Sequence, residues 1–270
     1  MNSKLFRFFV LFSVVSLVAC KAALSPEWTS FYTLKSADED RLEWLSNVAV
    51  DSYGDVLSAG DTIKMGADRQ QNVLLTKHDS RGNLIWATEY DFAQGAYRSD
   101  DNTTDLALDS DGNAYLVGVQ YIVENEQQRY GSFLMKIDRF GDVAWAKSLG
   151  NQEDARDVEV ADGKVYVTGH ATQVFDLDGI SLLTIEHPDA KAWDIEVDVA
   201  GNIYVVGHAT AAKYNQNGLL QWSVSQPEGL SHQASIAVNS DESVVIANTQ
   251  SNDKVRVAAI SNTGALSWTK

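Results

Sequence analysis

Apolar and polar residues alternate along most of this chain, and Asp, Asn and Gly interrupt the alternation at short intervals. The segment 47–90 shows the unit. Val48 and Val50 alternate with Asn47 and Ala49, the period-two pattern of a strand whose two faces differ. Asp51-Ser52-Tyr53-Gly54 then reads as a tight turn, because Asp bonds its own backbone and Gly takes positive φ without steric cost. Asp55–Ala59 is a second strand closed by Gly60, and 72–77 is a third. A second turn, 79–82, leads into a fourth strand over 84–90.

The first half of this unit occurs five times: NVAVDSYGDVLSAG (47–60), DLALDSDGNAYLVG (105–118), DVEVADGKVYVTG (157–169), DIEVDVAGNIYVVG (194–207) and SIAVNSDESVVIAN (235–248). The second half follows four of them, as KHDSRGNLIW (77–86), KIDRFGDVAW (136–145), KYNQNGLLQW (213–222) and AISNTGALSW (259–268). Repeats of about 40–60 residues with four strands each predict a propeller. The expected fold is all-β, with five four-stranded antiparallel blades forming a single domain over 27–270. One extra N-terminal strand of the outer type, Glu27–Tyr32, carries Trp28.

Leu84 and Trp86, Val143 and Trp145, Leu220 and Trp222, and Leu266 and Trp268 each stand two apart, on one face of the fourth strand. An indole there is expected to cover the next blade, burying about 150–250 Å². The third copy has Leu182 and Thr184 in that region, which predicts a weaker seam.

The pattern D-x-x-G-N-x-Y-V-x-G followed by K-x-D-x-x-G-x-x-x-W resembles the β-propeller repeats of bacterial secreted and surface proteins. Its outer-strand part is similar to quinoprotein-type propellers. The resemblance covers almost the whole chain after residue 26. It implies the fold and leaves the activity open, since such scaffolds host many functions. Quinoprotein enzymes supply cysteine and metal ligands to their cofactor, and Cys20 is the only cysteine of this chain.

The ends change the picture. Lys4 and Arg7 precede an apolar run that is short for a membrane span and reads as a signal peptide over 1–19. The run ends in Leu17-Val18-Ala19-Cys20, which resembles a bacterial lipobox. That likeness implies cleavage before Cys20, acylation of Cys20 and a tether over 20–26. An ordinary secretory signal with an incidental cysteine is the alternative. Three acyl chains anchor a protein stably where one does not. With Lys21 after the cysteine, the resemblance to Gram-negative lipoproteins implies the outer membrane, with the chain facing the periplasm or the surface.

Net charge is −16, and removal of Lys4 and Arg7 leaves 19 basic against 37 acidic residues. Such a surface repels phosphate backbones, so no nucleic-acid partner is expected.

The two tight turns of each unit share one face, so the longer connections share the other. These are 61–71, 91–104, 119–131, 150–156, 187–193 and 226–234. Loops on a rigid scaffold commonly carry function, which makes Tyr97, Arg98, Arg129, Tyr130, Lys191, Trp193 and His232 the candidate contact residues. The contact surface is expected chiefly between 91 and 131.

Asn47, Asp105, Asp157, Asp194 and Ser235 hold equivalent places at the start of each inner strand. They are expected to form a polar ring around a central opening. Asp157, Glu159, Asp194 and Glu196 are candidate ligands of a Ca²⁺ ion, or else are solvated and paired with Arg156 or Lys191. Asp109–Asn113 begins like a calcium loop but has Gln120 where the closing acid belongs, so it reads as a turn. No cofactor besides that possible calcium is expected. His78, His187 and His232 share no spacing that resembles a triad or zinc site.

The reading is a non-enzymatic, lipid-anchored envelope scaffold that meets a protein or peptide partner through its loop face. The alternative is a small-ligand or carbohydrate module, calcium-assisted, with Trp193 and Tyr97 as stacking groups.

Overall fold

Ten short reversals punctuate the described residues, and nine of them share one pair of backbone hydrogen bonds. In the first, the Asp51 carboxylate accepts the Tyr53 and Asp55 backbone N–H groups, each at 2.9 Å. The Asp51 carbonyl accepts Gly54 N–H at 3.1 Å, and Asp55 O accepts Asp51 N–H at 2.9 Å. Gly54 sits at φ 84, a region that costs glycine nothing. The tenth reversal, at Asp162-Gly163, has two residues, both at positive φ (50 and 68), as a tight hairpin demands.

In D-x-x-G-N-x-Y the spacing does further service. Asp198 Oδ2 accepts both the Asn202 amide at 2.8 Å and the Tyr204 hydroxyl at 3.0 Å. Burial works to raise the Asp198 pKa, but these bonds outweigh it and hold the carboxyl below its ordinary value. The motif is therefore one hydrogen-bonded object that fixes a turn to the strand after it.

A computed structural model describes residues 41–65, 70–92, 98–124, 127–150, 155–187, 191–207, 210–225, 230–250 and 255–270. Among these residues there is no helix, and the strands fall into antiparallel runs of four. The first meander comprises β1 (Arg41–Val50), β2 (Val56–Lys64), β3 (Gln70–His78) and β4 (Leu84–Tyr90). The second comprises β5 (Arg98–Leu108), β6 (Ala114–Glu124), β7 (Gln127–Ile137) and β8 (Val143–Gly150). The third is β9 (Asp157–Ala161), β10 (Lys164–Thr168), β11 (Ala171–Asp176) and β12 (Ser181–Glu186). The fourth is β13 (Ala192–Val197), β14 (Ile203–Gly207), β15 (Thr210–Tyr214) and β16 (Leu220–Ser225). Last come β17 (Leu230–Val238), β18 (Val244–Gln250), β19 (Val255–Ile260) and β20 (Leu266–Thr269).

The inner strands β1, β5, β9, β13 and β17 lie side by side in that order, each against the next. This face-to-face stacking of meanders is the β-propeller arrangement, and the sheets do not close into a barrel. The core lies between neighbouring meanders: Leu57, Leu75, Leu116 and Phe133 bury the first seam, and Tyr115, Val117, Val158 and Phe175 the next.

Three of the four seams are also bonded through an indole. Trp86 Nε1 donates to the Arg139 carbonyl at 3.2 Å, Trp145 Nε1 to Leu177 at 3.2 Å, and Trp222 Nε1 to Asn262 at 3.0 Å. The acceptor is always the second residue of the next meander's outer turn. That turn's glycine lies flat beneath the indole: a Cβ on Gly141 would stand 3.2 Å from Trp86, and one on Gly264 would stand 2.9 Å from Trp222. Lysines two residues before the turn reach the same neighbour. Lys136 Nζ donates to Leu177 O at 3.0 Å, and Lys213 pairs with Glu242 at 2.6 Å.

Two expectations need correction. The seam residues of the third meander are Leu183 and Ile185, both 3.1 Å from a Cβ placed on Gly218, rather than Leu182 and Thr184. In the ladder Leu183 pairs with Val174 as Trp145 pairs with Lys136, and each stands seven residues after the first residue of its outer turn, Asp176 and Asp138. The partners two residues before each tryptophan are also not seam residues, since Leu84, Val143, Leu220 and Leu266 are exposed. The signal peptide, Cys20, the tether and the Trp28 strand lie outside the described residues.

Candidate functional site

The ring of polar residues on the inner strands is a set of staples. Asp105 Oδ2 accepts the Val158 N–H of the next inner strand at 3.0 Å. Asp157 Oδ2 accepts Ile195 N–H, and Asp194 Oδ2 accepts Ile236 N–H, each at 2.9 Å. Asn47 opens the series by donating to Asp105 Oδ1 at 3.1 Å. Every acid thus satisfies a backbone donor in the meander ahead, which a buried seam requires.

This arrangement bears on the four candidate calcium ligands. Asp157 also accepts Val158 N–H at 2.9 Å, so both its oxygens are engaged. Glu159 and Glu196 have interaction partners as well. Among the described residues no three His, Cys, Asp or Glu side chains are grouped to hold a metal ion.

The loop face has a different character. Of the connections expected over 61–71, 91–104 and 119–131, residues 61–64, 70–71, 98–104, 119–124 and 127–131 are strand. β6 and β7 stay paired from Gly118↔Phe133 out to Glu124↔Gln127, and Arg98↔Val123 adds β5 to the ladder. By contrast β10, β14 and β15 have five residues each. Continuing from Val119 to Glu124 carries the β6–β7 hairpin about 20 Å further, at roughly 3.4 Å per residue. A parallel bridge, Gln71↔Asp100, ties this extension to β3.

The ladder brings three candidate residues together. Asp100, Tyr121 and Tyr130 share one rung, and Arg129 and Arg98 stand one and two rungs nearer the tip. The Tyr121 and Tyr130 rings lie 4.8 Å apart at 49°, with Tyr130 45% exposed. At the base Phe92 stacks on Phe133 at 5.0 Å, and the buried Asp101 accepts Phe92 N–H at 2.8 Å. The projection therefore stands on a fixed footing.

Beside that footing lies Asp61, which the sequence reading passed over. Its carboxylate accepts Thr103 N–H at 2.8 Å, while the Thr103 hydroxyl donates to Gly60 O at 3.1 Å. Asp61 is 1% exposed. Burial raises its pKa to about 6, against the opposing hydrogen bonds from Thr103, Trp44 and Gln71. The available signal was the position after Gly60, where the other copies have Val119, His170, His208 and Thr249.

The remaining candidates are dispersed. Lys191 is exposed at the edge of the fourth meander. Trp193 occupies the bulge between Ala192 and Asp194, with the Arg156 guanidinium 4.7 Å above its ring. Its indole N–H is buried without an acceptor. That capped, half-buried ring is a contact between the third and fourth meanders rather than an open stacking surface. The backbone of His232 lies in the irregular part of β17, and Tyr97 is outside the described residues.

No family model matches this chain, and neither does any curated protein. Solved structures do. A protein of unknown function from Bacteroides caccae aligns with a TM-score of 0.52 at 12% identity, covering 87% of this chain and 82% of its own. A gluconolactonase from Xanthomonas campestris aligns at 0.49 and 12% identity, over 76% of this chain and 69% of that one. The WD40 domain of SCAP from fission yeast aligns at 0.47 and 13% identity, over 81% of this chain and 56% of that one. Identities this low speak of fold alone.

Proposed function

We propose that this protein is a non-enzymatic, five-bladed propeller scaffold, held at the outer membrane by acyl chains on Cys20. It binds a protein or peptide partner through its loop face. The observation that carries the binding surface is the β5–β6–β7 extension. The strands are longest in the second meander, where β5, β6 and β7 have eleven residues each, and there a paired ladder presents an exposed tyrosine beside two arginine positions. Tyr and Arg are the side chains most often found at the energetic centre of interfaces. An extended ladder loses little conformational entropy on binding, which favours affinity. The anchoring rests on the resemblance of Leu17–Cys20 to a lipobox and on the lone cysteine there.

The test places a photo-crosslinking residue at Tyr130, and separately at Phe140, which is 68% exposed on the turn face. Both full-length proteins are irradiated in the native envelope. A discrete protein adduct from position 130, absent from position 140 and lost in Arg129→Glu, is the expected result. Equal labelling from both faces, or glycan adducts alone, would sink the assignment. Replacing Cys20 with Ser should release the protein from the membrane fraction; retention there would refute the anchor.

A further inference from the structure

In the first meander β4 stops pairing with β3 at Val73↔Tyr90, while β3 extends back to Gln70. The following meander takes the edge this leaves, since Asp100 of β5 pairs with Gln71 in parallel. Gln71 also pairs with Ile63 of β2, so β5 lies on the side that β4 has vacated. The second meander repeats the arrangement up to that last step. Gln71 and Tyr130 hold equivalent places, each six residues before the lysine, Lys77 or Lys136, that pairs with a tryptophan. β8 stops at Ser132↔Gly150, where Gly150 at φ 109 leaves the extended conformation. β7 extends back to Gln127, paired beyond Ser132 with β6 alone among the described residues. The next inner strand, β9, begins at Asp157, the equivalent of Asp105, so the described residues hold no counterpart of Arg98–Thr104 on this side.

We propose that the edge of β7 over Gln127–Tyr130 takes an extended segment of the protein partner as an added strand, parallel to β7, with an acidic residue at the rung of Arg129. This deepens the loop-face reading and rests on it for the nature of the partner. A strand edge presents a row of backbone N–H and C=O groups that an extended backbone satisfies in series. The precedent is the chain's own, β5 on β3, and it sets the direction of the added strand. Arg129 is the one charged residue of Gln127–Tyr130, which favours an acid beside it. Tyr130, 45% exposed, offers its ring to a side chain of the added strand.

For the test, a random linear peptide library is displayed against the full-length protein, and the tightest peptide is synthesised as the probe. It should be acidic, rich in β-branched residues and free of proline. Alternate amides of 127–130 should exchange freely with solvent deuterium in the protein alone and become protected by the peptide. N-methylation of alternate peptide residues removes backbone donors and keeps the side chains, and should weaken binding by about tenfold or more. A photoreactive group on the peptide's N-terminus should label residues near Gln127, and one on its C-terminus residues near Gly150. Arg129→Glu should reverse the preference for acid over lysine in the peptide. If the edge amides are already protected in the protein alone, its own residues or a second copy cover that edge and the proposal falls. It falls equally if the N-methylated peptide binds as well as its parent, if the labels appear in reverse order, if Arg129→Glu leaves the preference unchanged, or if no peptide is selected. A discrete protein adduct from position 130 in the envelope would then leave the loop-face reading standing, whereas loss of that adduct as well would remove both.

Discussion

Replacing Asp61 with Asn removes one titrating proton from the base of the projecting ladder and leaves its shape intact. The amide oxygen still accepts Thr103 N–H, so the seam bond at 2.8 Å survives. What changes is the dependence of stability on pH. Burial lifts the folded-state pKa of Asp61 from 3.8 to about 6, so between those values the folded protein holds a proton that the unfolded chain has released. Stability from this group is therefore fully present below the unfolded pKa and is lost as pH rises through the folded one. A shift of that size amounts to about 3 kcal/mol in all, of which roughly 2.5 kcal/mol falls between pH 4 and pH 8. Because the side chain is 1% exposed, solvent does little to screen it.

The assay compares thermal unfolding of the wild type and Asp61→Asn, by circular dichroism, at half-unit steps from pH 4 to pH 8. Every other carboxylate titrates alike in both proteins, so only the difference matters. At about 2–4 °C per kcal/mol for a chain of this size, the Tm of Asp61→Asn should gain about 5–10 °C on the wild type across the range. Most of the gain should fall between pH 4 and pH 6. Parallel curves would show that the wild-type carboxyl ionises near its ordinary pKa. Water would then reach the seam beneath the ladder, and the rigid footing assigned to it would be wrong.

Three further outcomes follow from the seams. Trp145→Ala should cost about 2–4 kcal/mol in denaturant unfolding, by loss of packing and of the Leu177 bond, whereas Trp268→Ala, half exposed, should cost under about 1 kcal/mol; equal losses would contradict the seam assignment. Asp157→Ala strips the carboxylate from Ile195 N–H and should cost about 1–3 kcal/mol, with Asp157→Asn losing less because one acceptor remains; if Asn is as damaging as Ala, the staple is not what holds that seam. Millimolar calcium, or its chelation, should leave the melting temperature where it is, since Asp157 and Asp194 already bond backbone donors; a calcium-dependent rise would reinstate the metal reading.

Local chemistry made much of this legible. A five-residue turn needs an acceptor at its first position and a residue able to take positive φ at its fourth. Asp, Asn or Ser followed by Gly therefore announces eight of the nine among the described residues, and Glu242 at φ 62 stands for the glycine in the ninth. The tryptophans mark the seams for a related reason, since a ring lying on a glycine needs both partners. Where that marker is missing, as in the third meander, the count slips by one and Leu182 is read for Leu183. The loop face resisted for a different reason. Stretches such as Asp100–Thr104 and Gln127–Arg129 carry few apolar residues, and their strand state comes from pairing with β6 rather than from propensity. Asp61 was harder still. Its burial depends on Thr103, a residue of the following meander, and no window of sequence displays that contact.

The same division explains why the site sits where it does. Staples, indoles and turn-reaching lysines occupy the inner strand starts, the fourth strands and the turn face, and each is committed to a neighbour. A ligand arriving there would have to replace bonds that hold the stack together. The loop ends of β5, β6 and β7 lie beyond the last staple at Asp105. Residues 119–124 and 127–132 add rungs to their own ladder, where Tyr130 is 45% exposed. Substituting Tyr130 should therefore change binding with little effect on stability, whereas substituting Asp157 should change stability first. A scaffold of this kind separates the two properties in space, and the eleven-residue strands of the second meander mark where the separation falls.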